Sequence, residues 1–81
     1  MDDVISEMLS YLDDLRTGND LNESQESLVE ILQADVMEGE FHYVDYTLST
    51  FKNNYTDKED QDFCDKVRTE LYGIYLIGRK G

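Results

Sequence analysis

Residues 40–55, EFHYVDYTLSTFKNNY, decide how the rest of the chain is to be read. Phe41, Val44, Leu48, Phe51 and Tyr55 recur at helical spacing. Val44, Tyr46 and Leu48 also alternate with Asp45, Thr47 and Ser49, as in a half-buried strand, and the aromatic and β-branched composition suits one. The helical match is the longer, and it predicts a helix over 40–55. The alternative pairs 42–50 with 72–78 in a short hairpin and gives an α+β fold.

The flanking segments favour the helical reading. Upstream, Val4, Ile5, Met8, Leu9, Leu12 and Leu15 form an amphipathic stripe that predicts a helix over 3–17. Asp2 or Asp3 suits its N-cap, Arg16 its negative end, and Gly18 a left-handed C′ position. Leu21, Leu28, Leu32 and Val36, with Val29 and Ile31 beside them, predict a second helix over 21–38, closed by Gly39. Three capping boxes compete for its start: Asp20 with Glu23, Asn22 with Gln25, and Ser27 with Glu30. Downstream, Thr56 and Glu59 form a capping box before the stripe Phe63, Val67, Leu71 and Ile74, predicting a helix over 57–77. Gly73 is an interior defect there, costing about 1 kcal/mol relative to Ala. No proline interrupts any of these patterns. The expected architecture is all-α, a small bundle of about four helices in one domain, 1–81.

Eighty-one residues bury only roughly 60–65% of their unfolded surface, so the core is modest. Nine aromatics, six of them tyrosine, argue against a disordered acidic chain. The single cysteine, Cys64, excludes an internal disulfide and a cysteine-rich zinc site. The N-terminus lacks the basic and apolar regions of a signal peptide, and the longest apolar run, 74–77, is far too short to span a membrane. The sequons at Asn22 and Asn54 then read as chance matches. These features together predict a reduced, cytoplasmic setting.

Charge is distributed unevenly. The first 51 residues hold thirteen acids against one base, Arg16, and the remainder holds six of each, so the whole net charge of −12 lies in the first two-thirds. Such a density opposes folding and disfavours direct contact with nucleic acid or an anionic membrane. Glu23, Glu26 and Glu30 share a helical face at i, i+3, i+7, and Asp3, Glu7 and Asp14 share one at i, i+4, i+11. Side chains so spaced lie about 5–6 Å apart at i, i+4 and about 10.5 Å apart over seven residues, distances that bracket phosphate spacing along a strand. Solvated helices ordinarily mix both signs, so a one-sign row points to a basic partner.

Chemistry beyond charge is sparse. His42 lies among Glu38, Glu40 and Asp45, but the spacing matches no metal signature, and no metal or other cofactor is expected. No phosphate loop or nucleophile elbow is present, and Cys64 acts as a nucleophile only if His42 lies beside it in space; no catalytic residue is assigned. Glu26-Ser27-Leu28, with apolar Ile31, Met37 and Phe41 following, invites comparison with the attachment motif of acyl carrier proteins over residues 26–41, a resemblance that is not claimed. That comparison implies a serine modified at the opening of a helix. Glutamate replaces the usual aspartate, and too little chain precedes Ser27 for the family's long first loop. Tyr43 and Tyr46 combine a rigid apolar ring with a hydrogen-bonding hydroxyl, as interface anchors do.

The reading that follows is an acidic protein that occupies a basic, nucleic-acid-handling protein, by mimicry or by charge-complementary blocking. Phage counter-defence and nuclease immunity proteins are functional classes with this profile, an analogy of class and not of motif. The expected partner-binding residues are Asp20, Glu23, Glu26, Glu30, Glu38, Glu40, Tyr43, Asp45 and Tyr46. The alternative is a structural or regulatory module acting through the apolar stripes at 4–15 and 63–77, including as a homodimer. A third reading is a carrier modified at Ser27.

Overall fold

In the computed structural model the stretch that decides the fold is a helix, and its register shows why. Val44, Leu48 and Phe51 are buried on one side, while Tyr46, which a strand would align with Val44 and Leu48, is exposed. The model describes residues 2–18, 20–39 and 41–80; of Asp2, Asp3 and residues 78–80 it describes the backbone alone. Four helices follow in order: α1 Asp2–Gly18, α2 Glu23–Glu38, α3 Phe41–Asn54 and α4 Lys58–Lys80. No strand occurs among the described residues, so the alternative hairpin of 42–50 with 72–78 does not form; both segments are helical.

The short connections fold consecutive helices back on one another. α1 packs on α2 and α4, α3 packs on α2 and α4, and α2 reaches α4 through the middle, so α1 and α3 stand at opposite corners of a four-helix bundle. Each helix contributes a stripe to one core. Met8, Leu12 and Leu15 come from α1, Leu28, Val29, Leu32 and Val36 from α2, and Cys64, Val67 and Leu71 from α4, against the α3 triad. Val4, Ile5, Leu9, Tyr11, Phe63 and Ile74 close its edges. At one end of the α3–α4 pair, Phe41 stacks on Tyr75 and meets Tyr72 edge-on.

The helix ends correct several expectations. Of the three competing boxes, Asn22–Gln25 forms: the Asn22 side chain accepts from the Gln25 amide at 2.8 Å, and Gln25 Oε1 accepts from the Asn22 amide at 3.3 Å. It prevails because both side chains also donate to Asp60 of α4, at 3.0 and 3.2 Å, a tertiary tie the other boxes lack. Gly39 takes the left-handed conformation, φ 80°, and its amide donates to the Val36 carbonyl. Gly18 does not; it is the last helical residue of α1 and has no positive φ. The side chains expected to cap α1, Asp2 and Asp3, lie outside the described residues. α4 starts at Lys58, one residue later than expected, with Gln61 donating to the Asp57 carbonyl. The Gln61 side chain also reaches the Lys52 and Tyr55 carbonyls at the open end of α3, which would otherwise lack a partner.

Candidate protein-binding surface

α2 positions four of the nine expected contact residues, Glu23, Glu26, Glu30 and Glu38. Gln25, Leu28, Val29, Leu32 and Val36 face the core, so Glu23, Glu26 and Glu30 necessarily project from the opposite side and are exposed. Arg16 of α1 pairs with Glu30 at 3.5 Å and donates to Gln33 at 3.3 Å, so this row is turned toward α1. Asp13 and Asp14 of α1 are exposed as well. Two helices that pack on each other thus both carry exposed acids, and Arg16, the base that joins them, already has partners. Asp20 is exposed ahead of α2, and Glu38 is exposed at its end, about 22 Å from Glu23 along the axis. The last turn of α2 contains no base, so Glu38 faces the negative end of the helix dipole uncompensated within its own helix.

The expected residues of α3 divide. Tyr46 and Tyr43 are exposed. Asp45 instead turns to α4, where it pairs with Arg68 at 2.8 Å and accepts from the Tyr72 hydroxyl at 3.2 Å, while the Arg68 guanidinium sits over the Tyr72 ring. Asp45 is therefore tied into the scaffold. Glu40 lies outside the described residues. The nine expected residues do not share one face: the acids of α2 lean toward α1, Tyr46 leans toward α2 from the other side, and Asp45 belongs to the α3–α4 seam.

Between α2 and α3 lies an open groove of about 260 Å³. Tyr46 lines it together with Ser27, Leu28, Ile31, Phe51 and Tyr55. Sequence reasoning missed the groove as a site. The available signal was Ile31, an aliphatic residue displaced from the Leu28–Leu32–Val36 stripe and left half exposed. Thr47, which also lines the groove, donates its Oγ1 to Asp35 Oδ2 across the same helix pair.

The other chemistry-bearing residues are scattered. Cys64 is buried and its thiol points to the Leu48 carbonyl at 3.3 Å; burial, reinforced by nearby Asp65, pushes its pKa up and keeps it protonated. His42 is six residues before Leu48 on α3, about 9 Å along the axis, with its ring against Tyr43, so the two are not brought together. Among the described residues no three of His, Cys, Asp and Glu converge as metal ligands. Ser27 is exposed but is the fifth residue of α2, and does not open the helix as the carrier comparison implies. No helix among the described residues is long and apolar enough to cross a membrane. Comparison with protein-family models, with curated proteins and with solved structures gives no match to this chain.

Proposed function

We propose that this protein binds a basic, nucleic-acid-handling protein and blocks it, with the acidic surface of α1 and α2 set against the partner's basic groove. The observation that carries the reading is that two helices packed on each other both expose acids. Asp13, Asp14, Glu23, Glu26 and Glu30 are exposed on two helices that pack side by side, and Arg16, the base between them, is already engaged. A field of one sign steers an oppositely charged partner and raises its association rate, most strongly at low salt. The same field repels nucleic acid, so the protein competes for the partner and not for the ligand.

The apolar-module reading has less to stand on. The stripes of α1 and α4 are spent on the internal core, leaving Leu76 and Ile77 as the exposed large apolar residues of α4. Affinity purification from the source cells, followed by titration of the recovered partner, tests the proposal. The expected partner is basic, is displaced by nucleic acid, and loses affinity at least tenfold between 50 and 200 mM salt, as roughly several charge contacts require. The variant Glu23→Lys/Glu26→Lys/Glu30→Lys keeps the core and should lose binding. A neutral partner bound equally well at both salt concentrations would overturn the reading.

A further inference from the structure

We infer that the groove between α2 and α3 receives an apolar side chain which the basic partner presents between lysines or arginines. The inference rests on the proposed function and specifies where its buried contact lies. In a chain of which 32% is charged, none of the residues lining the groove carries a charge. Leu28, Ile31, Phe51 and Tyr55 line it with aliphatic and aromatic side chains, and serines and threonines belong to the lining as well. Ile31 is 51% exposed, Tyr46 72% and Tyr55 40%, so the apolar surface there is open to solvent. The volume falls just short of the ~300–1,000 Å³ of small-molecule sites, and fits one or two inserted side chains better than a cofactor.

Charge complementarity identifies the occupant. Ser27 on the groove wall stands at i+4 from Glu23 and i−3 from Glu30, spacings that set their Cβ atoms about 5–6 Å from its own, and both glutamates are exposed. An apolar side chain seated in the groove thus brings its neighbours within reach of these acids, where lysine or arginine is favoured and aspartate or glutamate is repelled. A second copy of this chain is the poorer occupant, because each carries a net charge of −12 and the two repel. Buried aromatic and aliphatic anchors ringed by polar contacts carry most interface energy, and Tyr46 beside Ile31 supplies that arrangement.

The test uses two peptides of equal charge, one an amphipathic leucine–lysine helix former, the other with every leucine replaced by serine, each titrated into the ¹⁵N-labelled full chain. The leucine peptide should shift the amide signals of Ser27, Ile31, Tyr46, Thr50 and Tyr55 and bind at least tenfold tighter than the serine peptide. Ile31→Ser/Tyr46→Ser should remove that advantage. Thr50→Arg, on an exposed position that leaves the core intact, should do so independently if the double variant folds poorly. Equal binding of the two peptides, with shifts centred on Glu23, Glu26 and Asp13, would overturn the inference and leave the acidic-surface reading standing. Unchanged binding of both peptides by Glu23→Lys/Glu26→Lys/Glu30→Lys would instead sink that reading. A dimer in sedimentation velocity that Thr50→Arg dissociates would assign the groove to a second copy and likewise overturn the inference.

Discussion

Asp60 occupies an environment that a carboxylate ordinarily avoids, at 5% exposure between the starts of α2 and α4. It is tolerated because Asn22 and Gln25 both donate to Oδ1, while its position in the first turn of α4 faces the positive end of that helix's dipole. Asp60→Ala leaves two amide donors without an acceptor, and should destabilise the fold by about 1–3 kcal/mol in urea denaturation. Asp60→Asn, which keeps an acceptor oxygen, should cost less; equal losses would show that the charge, not the acceptor, matters. Tyr11 presents the opposite case. Its hydroxyl is buried without a hydrogen-bond partner among the described residues, and burial, helped by the Glu70 charge, pushes its pKa up to about 12. A raised folded-state pKa contributes stability that is fully present below pH ~10, the unfolded value, and is lost as pH rises toward 12. Tyr11→Phe should therefore lose less stability than the parent between pH 10 and 12, and at neutral pH should match or slightly exceed it. A steeper alkaline loss in the variant would refute this assignment. Neither residue was legible in the sequence: Asp60 sits in an acid-rich first turn that reads as solvated, and only the approach of α2 to α4 buries it.

The helices themselves were legible where periodicity outran local composition. In α3 the strand-like alternation covers six residues and the helical stripe fifteen, and the longer pattern prevails because it alone puts Val44, Leu48 and Phe51 on one buried side. Helix ends were less legible, since three capping boxes satisfy the same local rule and the choice among them is made by Asp60, thirty-five residues beyond Gln25. The acidic row of α2 could be read from spacing, whereas the groove could not, because its walls belong to two helices whose register no single periodicity specifies. Two glycines expose the same distinction between local and tertiary control. A Cβ added at Gly39 or at Gly73 would meet nothing within 4 Å, so neither position is crowded. They should nonetheless respond oppositely to alanine. Gly39 has φ 80°, which disfavours any side chain, and Gly39→Ala should cost about 1 kcal/mol. Gly73 is an ordinary helical residue, and Gly73→Ala should stabilise by about 0.5–1 kcal/mol. Chemical denaturation of the two variants side by side measures both; shifts of the same sign would contradict the backbone argument.

Over the whole molecule the segregated charge sets a conflict that salt should reveal. Exposed ion pairs such as Arg16–Glu30, Lys52–Asp65, Lys58–Asp62 and Arg68–Asp45 weaken as salt rises, but each is worth only about 0–1 kcal/mol. Self-repulsion weakens too, and it involves far more pairs. Two like charges ~15 Å apart in water repel by about 0.3 kcal/mol, and a net charge of −12 supplies dozens of such pairs within a body of 36 × 24 × 19 Å. At about 10 mM salt the screening length of ~30 Å reaches nearly across the molecule, whereas at physiological strength it falls to ~8 Å, below its narrowest dimension. Repulsion should win. The melting temperature should rise by several degrees between these conditions, since ~1 kcal/mol corresponds to about 4–8 °C in a domain of this size. Asp13→Asn/Asp14→Asn removes two exposed acids near the negative end of the α1 dipole, and should raise low-salt stability while shrinking the salt increment. Thermal melts at the two salt concentrations decide the matter: a parent protein that melts lower as salt is added would mean that the ion pairs dominate. The acidic surface would then impose no strain on the fold, and its one-sided composition would no longer need a basic partner to account for it.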